Sequence, residues 1–295
     1  MTFQTTTTPG VPGATGAMST PGQVLGVKRV AAFHVLSLLA PGIAERFRPG
    51  TFVALSVGGP MSERLTRRTF PIHRTRPTGA HGGTVEMVLQ VPDSGADPGT
   101  LWLATAPAGT RLDVLGPLGR PFALPKEPVT CVLVGEEAGS APLFTLAERL
   151  RERDCPVHML IGGRSGQHLF GALEARRATR GVTVTTGDGS VGIAGTVADA
   201  LPDLLVRTAA EVVYAAGRHS TLHAVAAIAE QHGAWSQALL DVAMPCGTGL
   251  CQACVVPVVG EDGVTRMVRA CFEGPVFRGD RVRWDDLGAV PEDAR

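Results

Sequence analysis

The residues of this chain best able to do chemistry are cysteines near its C-terminal end. Four of its six cysteines lie in MPCGTGLCQACVV and VRACFEGPVF, as Cys246, Cys251, Cys254 and Cys271. Thiolates bind zinc or iron–sulfur clusters, and in oxidising compartments cysteines also form disulfides. The spacing Cys-x4-Cys-x2-Cys with a distant fourth cysteine is that of plant-type [2Fe–2S] clusters, so it predicts such a cluster here.

Zinc and disulfides are weaker interpretations of these cysteines. A zinc site with four cysteines usually has two Cys-x2-Cys pairs, and the second pair is missing here. The first residues do not have the basic and apolar segments of a secretory signal, so we expect a reducing, cytoplasmic location in which disulfides are rare.

Gly247 and Gly249 would let the loop curl around a cluster. Cys131 and Cys155 fall within or beside predicted strands and are expected to be small buried hydrophobic residues.

The composition is that of a globular protein. The chain has 295 residues, of which 44% are hydrophobic and 18% charged, and its formal net charge is zero. This length allows two or three modest domains with a buried core. No run of Lys or Arg indicates a nucleic-acid partner, and no apolar stretch reaches the roughly 18–20 residues of a membrane span.

The N-terminal half of the chain predicts a tail followed by a barrel. Residues 1–22 are rich in Thr, Gly and Pro and are predicted to be a disordered tail. Residues 23–125 contain short apolar runs separated by Gly and Pro, such as TFVALSV and TVEMVLQV, which predict a small antiparallel β-barrel. Within it VLSLLAPGIAERF is interrupted at Pro41, so we expect a loop with one turn of helix there.

The C-terminal half changes character twice. Residues 126–235 alternate apolar strands with helical segments, beginning with VTCVLVG and SAPLFTLAERLRER, and predict a doubly wound α/β domain. From 236 to 295 Gly and Cys return and the helical pattern stops, so we expect a small third module around the cluster.

Two short segments of the predicted barrel could contact a flavin. Arg68 in RRTFPIHR lies at a predicted strand end, where its guanidinium could face a flavin ring or a phosphate. Gly99 and Thr100 in PGTLWL form a donor-rich turn suited to a pyrophosphate. Each segment alone is weak evidence for a flavin site, because an arginine at a strand end is usually solvated and a Gly-Thr turn usually binds no ligand.

Barrel, α/β domain and cysteine module, in this order, resemble the electron-transfer subunit of NAD-linked dihydroorotate dehydrogenase. That subunit belongs to the ferredoxin–NADP reductase superfamily. The resemblance covers about residues 23–280 and is carried by RRTFPI, GTLWL, LDVLGPLGRPF, LVGEEAGSAPLFTLAERL, TTGDGSVGIAGTV and VVYAAGRHSTLHAVA. The cysteine loop with its C-x-x-GPVF ending is the most specific of these motifs.

The resemblance implies a β-barrel domain that binds FAD, a Rossmann-like α/β domain that binds NAD, and a [2Fe–2S] module. The family's flavin motif of Arg, an aromatic or aliphatic residue and a hydroxyl residue falls on Arg68, Phe70 and Pro71, with Thr69 close by. Its phosphate turn is intact at Gly99, Thr100 and Leu103. The implied nicotinamide-binding positions are Gly135, Gly139 and Gly217.

This chain departs from the family pattern beside the nicotinamide cofactor. The family's Gly-Gly-Gly-x-Gly loop reads Gly-Glu-Glu-Ala-Gly over residues 135–139, and its Cys-Gly-Pro reads Ala-Gly-Arg over 216–218. The carboxylates of Glu136 and Glu137 add bulk and oppose a pyrophosphate by charge. Arg218 could neutralise one of them or bind a phosphate itself. The sequence leaves two alternatives. Nicotinamide binding is altered or lost, or NAD still binds in a slightly altered pose.

The function implied by the resemblance is electron transfer in pyrimidine biosynthesis. A catalytic, flavin-binding dihydroorotate dehydrogenase subunit would pass electrons through the [2Fe–2S] cluster and FAD of this chain to NAD. The chain would be an oxidoreductase subunit active only in a hetero-oligomer, with no catalytic side chain of its own. The alternatives are a flavin and iron–sulfur reductase that serves another oxidoreductase, with altered or lost NAD binding, and a binding module that holds a cluster without turnover.

Overall fold

A computed structural model of the chain describes residues 3–4, 17–59, 62, 66–76, 83–92, 94 and 97–294. In its N-terminal part the elements are β1 (Phe3–Gln4), β2 (Met18–Val30), β3 (Phe33–Leu39), α1 (Ile43–Arg46), β4 (Phe52–Leu55), β5 (Arg68–Arg76), β6 (Thr84–Leu89), α2 (Pro98–Ala104), β7 (Arg111–Leu118) and β8 (Leu124–Pro125). Six of these strands close into an antiparallel barrel in the order β2-β3-β6-β5-β4-β7. The predicted barrel is therefore present. Its interior is filled by inward-facing apolar side chains, among them Leu36, Ile72 and Met87.

The barrel begins earlier than the sequence predicts. Met18–Gly22, which were expected to belong to the disordered tail, pair with residues 112–116 of β7. Gly22 permits this pairing, because a Cβ there would lie 2.4 Å from a methyl group of Val114. The tail boundary at 22 is therefore wrong, and residues 1–2 and 5–16 of the predicted tail lie outside the described residues.

The segment VLSLLAPGIAERF is also corrected in part. Its first half belongs to strand β3, which pairs with β2 on one side and β6 on the other. Only the second half forms the expected single helical turn, as α1. Pairing with two neighbouring strands, which local sequence does not reveal, decides the conformation of VLSLL.

The C-terminal part contains a mixed sheet with helices on both faces. Its elements are β9 (Cys131–Glu136), α3 (Leu143–Arg151), β10 (Val157–Gly163), α4 (Ala172–Ala178), β11 (Gly181–Thr186), β12 (Ile193–Ala194), α5 (Val197–Thr208), β13 (Val212–Ala216), α6 (His219–Gln231), β14 (Trp235–Leu239), β15 (Val255–Val259), β16 (Thr265–Arg269) and β17 (Val276–Arg278). The seven-stranded sheet has the order β12-β11-β10-β9-β13-β14-β17 and is parallel except at β17. The predicted alternation of strands and helices is confirmed. Of the helices in the described residues, none has the length and apolar character needed to cross a membrane.

The sheet does not end at the predicted domain boundary of 235. Strand β14 pairs in parallel with β13, and β17 pairs antiparallel with β14. All of β17, and β14 after its first residue, belong to the segment that the sequence assigns to a separate cluster module. That segment therefore completes the α/β sheet at one edge, while its hairpin β15–β16 forms a sheet of its own.

His73 joins the barrel to the α/β sheet. It lies in β5, is buried, and its Nδ1 is 2.8 Å from the backbone oxygen of Ala141. Its ring packs edge-on against Phe144 and Phe170, with ring centroids 5.8 and 5.3 Å away. Burial lowers the pKa of His73 more than its hydrogen bond to Ala141 raises it, so the ring is neutral at pH 7 and donates from Nδ1.

We expect His73→Leu to lower stability by about 1–3 kcal/mol, because the buried Ala141 oxygen then has no donor. The free energy of unfolding of the wild type should fall as the pH falls below about 6.5, because the unfolded chain then binds a proton that folded His73 does not. His73→Leu lacks this pH-dependent contribution. The difference in the free energy of unfolding between wild type and variant should therefore become smaller as the pH falls toward about 5.5. Urea midpoints of the two proteins at acid and neutral pH measure this difference.

His232→Leu is a matched control. His232 is exposed and also contacts a backbone oxygen, that of Ile228 at 2.8 Å. An exposed site of this kind usually changes stability by no more than about 0.5 kcal/mol. Equal losses in the two variants would show that the bond between barrel and sheet is unimportant.

Candidate functional site

A cleft of about 850 Å³ lies between the barrel and the α/β sheet. This volume is within the range of about 300–1,000 Å³ that is common for small-molecule sites. The barrel side of the cleft includes Arg68, Thr69, Phe70, Pro71, Asp97 and Thr100, and the sheet side includes Glu136, Glu137, Gly139, Gly217 and Arg218. Residues that the sequence predicts for flavin and for nicotinamide thus face each other across one cleft.

Sheet topology explains why the nucleotide-binding residues meet. Strands β9 and β13 are parallel neighbours, with Gly135 opposite Ala216 at their carboxyl ends. Turns after adjacent parallel strands lie at the same edge of a sheet, where ligands of open α/β folds bind. Glu136 is the last residue of β9 and Glu137 begins the turn after it, while the turn after β13 carries Arg218.

On the barrel side, Arg68 is held by a carboxylate that the sequence analysis did not single out. Arg68 Nε lies 2.7 Å from Oδ1 of Asp97. Asp97 also caps α2 and accepts hydrogen bonds from the backbone N–H groups of Gly99 and Thr100, at 3.1 and 3.3 Å. Burial raises the pKa of Asp97, but hydrogen bonds from Thr100 and Arg68 outweigh burial and lower it, so the carboxylate is charged at pH 7.

The donor-rich turn predicted at Gly99 and Thr100 is therefore the first turn of a helix, and its donors are used by Asp97. Gly99 does not line the cleft; a Cβ there would lie 3.0–3.2 Å from atoms of the Arg68 side chain. Glycine thus lets Arg68 lie across the start of α2. The order Asp-Pro at 97–98 is a helix-start signal that could have identified the cap.

On the sheet side, Glu136 is turned toward the start of α6. Its Oε2 accepts hydrogen bonds from the backbone N–H of Arg218 at 3.2 Å and the hydroxyl of Thr221 at 2.7 Å, and its Oε1 pairs with the Arg218 guanidinium. Burial raises the pKa of Glu136, but Arg218 and Thr221 outweigh burial and lower it. Arg218 therefore neutralises Glu136, one of the two roles considered for it from the sequence.

Glu137 crosses the cleft toward the barrel. Its carboxylate accepts a hydrogen bond from Gln90, which follows β6, and lies 3.8 Å from Nε of Arg164. Its backbone has φ of +50°, a left-handed conformation that glycine adopts more readily. This explains why the family's loop can have glycine at the position, and it shows that the second carboxylate also has polar partners.

Two predicted nucleotide-binding glycines serve the packing of the turn. A Cβ on Gly135 would lie 2.5 Å from Ser140 Oγ, and a Cβ on Gly139 would lie 2.5 Å from the backbone oxygen of Ala216. Gly139 lines the cleft, whereas Gly135 does not. Both glycines are thus needed for the turn to fold against itself and β13, whether or not a ligand contacts them.

The four C-terminal cysteines come together as two pairs. Sγ of Cys254 lies 3.3 Å from Sγ of Cys271, and Cys246 is in hydrogen-bond contact with Cys251. The backbone N–H of Gly249 points at Cys271 Sγ from 3.1 Å. Within the described ranges, no three His, Cys, Asp or Glu side chains are placed to hold a single metal ion.

The two pairs differ in exposure and in acidity. Cys254 and Cys271 are buried, whereas Cys251 is exposed. Burial raises the pKa of Cys246, but hydrogen bonds from Cys251 and Thr248 outweigh burial and lower it to about 6. Burial, and next the Cys254 thiol, raise the pKa of Cys271 to about 12.

These residues fit a [2Fe–2S] cluster, in which each iron takes two thiolates and backbone N–H groups bond to sulfur. Gly247 and Gly249 have φ of +68° and +82°, as the predicted curled loop requires. A Cβ on Gly247 would lie 3.0 Å from Leu118 of β7. The cysteine loop therefore packs against the barrel, beside the cleft that Met244 and Pro245 help to line.

We expect Ala at Cys246, Cys251, Cys254 or Cys271 to abolish or strongly reduce cluster content, from about two irons per chain. Cys131→Ala and Cys155→Ala are the controls, because both residues are buried cysteines outside the loop, at β9 and before β10. Iron and acid-labile sulfide in anaerobically purified protein measure the outcome. A ligand variant that keeps full iron, or a control that loses it, would refute the assignment.

Comparison with known proteins is consistent with this geometry. Residues 242–283 match the family described as the iron–sulfur cluster binding domain of dihydroorotate dehydrogenase B. The chain is 29% identical over 265 residues to the dihydroorotate dehydrogenase B (NAD(+)) electron transfer subunit of Desulforamulus reducens, covering 89% of this chain and 97% of that protein. It is 33% identical over 252 residues to the subunit of the same name from Geobacillus thermodenitrificans, covering 84% and 92%.

A solved structure is similar over the same length. It is that of an NADH-dependent reduced ferredoxin–NADP oxidoreductase, studied for flavin-based electron bifurcation, and one of its chains is 30% identical with a TM-score of 0.77. The match covers 90% of this chain and 91% of that one. Barrel, sheet, cysteine pairs and full-length relatives agree, and the chain belongs to the family of dihydroorotate dehydrogenase B electron transfer subunits.

Proposed function

We propose that this chain is the electron-transfer subunit of an NAD-linked dihydroorotate dehydrogenase in pyrimidine biosynthesis. It would work in the cytoplasm as an oxidoreductase subunit within a hetero-oligomer with a catalytic, flavin-binding subunit. The observation that carries the proposal is the continuity of the two sites. Met244 and Pro245 line the cleft, and Cys246, the first cluster cysteine, follows directly in the chain.

We propose a place for each cofactor. FAD, when bound, exchanges single electrons with iron–sulfur clusters and hydride with nicotinamides. We assign it to the barrel side of the cleft, at Arg68, Thr69, Phe70, Pro71 and Thr100, with the predicted Gly99 beneath the Arg68 side chain and not at the cleft surface. NAD is assigned to the sheet side, at Gly139, Gly217 and Arg218, with Gly135 shaping the turn behind them. The cluster is assigned to Cys246, Cys251, Cys254 and Cys271.

The chain's own residues do the positioning. His73 and its contact with Ala141 hold the barrel side and the sheet side of the cleft together. The cysteine loop packs on the barrel at Gly247, buries Cys254 and Cys271, and leaves Cys251 at the surface. Leu250, next to it, is 85% exposed. We propose this loop as the contact with the catalytic subunit, because Cys251 places one cluster ligand at the surface of the protein.

A second function is favoured by the structural similarity. The related solved chain belongs to an NADH-dependent reduced ferredoxin–NADP oxidoreductase, so the same architecture serves a different reaction. The chain would then be a flavin and iron–sulfur reductase for another oxidoreductase, with altered or lost NAD binding. The altered or lost NAD binding of this alternative is supported by the departures at Glu136, Glu137 and Arg218 and not by the related protein, which is itself NADH-dependent.

Reduction of the purified, cofactor-loaded chain separates the two functions. We expect NADH to bleach the flavin absorbance of the chain alone, and dihydroorotate to do so only after the catalytic subunit is added. Bleaching by dithionite but not by NADH would favour the second function. A cluster without flavin would contradict both and leave a binding module.

The acidic turn should slow reaction with NADH. We expect the double variant Glu136→Gly with Glu137→Gly to lower the NADH concentration for half-maximal flavin reduction by about tenfold, or about 1.4 kcal/mol, because it releases Arg218 from Glu136 and removes the negative charge of Glu137. Stopped-flow reduction at varied NADH measures this. Glu261→Gly, in the exposed turn of the β15–β16 hairpin, is the control. If wild type reacts as quickly as the double variant, the acidic turn does not restrict NADH.

A further inference from the structure

The ion pair between Arg218 and Glu136 is unequal in its exposure. The Arg218 side chain is 71% exposed, whereas that of Glu136 is 8% exposed. The carboxylate thus lies at the bottom of the cleft and the guanidinium at its open side. A long arginine side chain can change its position without moving the backbone, and a buried carboxylate on a tight turn cannot do so easily.

The hydrogen bonds of Glu136 make the guanidinium replaceable. Oε2 is bound by the backbone N–H of Arg218 and by the Thr221 hydroxyl, and neither donor depends on where the guanidinium lies. Only Oε1 is paired with the guanidinium. Glu136 therefore keeps two donors if the guanidinium moves to another anion, so the carboxylate is never left without a partner.

The other cations of the cleft are less available. Arg67 pairs with Asp113 and Arg68 with Asp97, and their side chains are only 27% and 29% exposed. Arg68 is also fixed against the start of α2, where its partner caps the helix. Among these three arginines, Arg218 has the greatest freedom to meet an entering ligand.

We propose that Arg218 is an exchangeable ligand for the pyrophosphate of a dinucleotide, with Glu136 as its counter-ion in the free protein. On entry of the dinucleotide, the guanidinium leaves Oε1 and pairs with phosphate oxygens, which its planar fork can bind in a bidentate manner. Glu136 competes with the phosphate for the same cation. The two residues therefore affect dinucleotide affinity with opposite signs. This inference rests on the proposed use of NAD in the cleft.

Binding of ADP-ribose to the FAD- and cluster-loaded chain tests it. ADP-ribose carries the pyrophosphate but no nicotinamide, so calorimetry reports binding without electron transfer. We expect Arg218→Gln to weaken binding at least tenfold, Arg218→Lys to weaken it less, and Glu136→Gln to tighten it several-fold. In the Arg218→Gln background, Glu136→Gln should have little effect. The dependence of affinity on salt should also be smaller in Arg218→Gln than in wild type.

A control variant is available in the β15–β16 hairpin, which lies away from the cleft. Arg266→Gln removes an exposed arginine of a similar ion pair, with Asp262 in the remote hairpin, and should change nothing. Flavin and cluster absorbance and the thermal midpoint confirm that each variant is folded. If Arg218→Gln binds ADP-ribose as tightly as wild type, or if Glu136→Gln binds it more weakly, the inference is wrong but the proposed NAD site is not. If neither wild type nor Glu136→Gln binds ADP-ribose, the inference and the proposed NAD site both fail.

Discussion

The hydrogen bond between His73 and the backbone oxygen of Ala141 is the contact on which the functional arrangement depends. His73 belongs to the barrel strand that also presents Arg68, Phe70 and Pro71, and Ala141 belongs to the turn that presents the glutamates. The bond, enclosed by aromatic rings of the sheet domain, sets how the two sides of the cleft face each other. Each side alone is an ordinary surface of its domain. Because buried polar groups are costly to leave unpaired, this bond favours the observed orientation, together with other barrel-to-sheet contacts such as the ion pair of Arg74 with Glu174.

Charge in the cleft is arranged by local pairing. Arg67, Arg68 and Arg218 each have a carboxylate partner, namely Asp113, Asp97 and Glu136. The less exposed of these charges, Glu136 above all, require such partners, since an isolated buried charge carries a large desolvation cost. Two of these carboxylates also accept backbone N–H groups near the start of a helix. An anionic cofactor therefore meets a cleft in which the positive charges are present but already engaged.

The cysteine loop combines two surroundings for one cluster. Its buried pair, Cys254 and Cys271, is surrounded by the C-terminal core, while Cys251 and Leu250 reach the surface. The loop leaves the cleft at Pro245 and packs on the barrel through Gly247. An electron carrier needs this kind of placement, because one end must approach the partner while the other approaches the flavin site. The position of the loop follows from β14 and β17, which fix the chain before and after it in the main sheet.

Local sequence patterns predict some features of this protein, and contacts between distant residues decide others. Cysteine spacing, strand–helix alternation and the family motifs predicted the cluster, the barrel, the α/β sheet and part of the cleft lining from sequence alone, because each of these signals lies in a short stretch of chain. Gly99 and Gly135, which were also predicted, do not line the cleft. Tertiary structure alone decided that VLSLL is a strand, that β14 and β17 complete the sheet, and that Asp97 uses the donors of Gly99 and Thr100. It also decided that Glu136 faces Arg218, which is 82 residues away. Folding brings such partners together. The spacing of residues along the chain does not predict which distant side chain will pair with a given charged group.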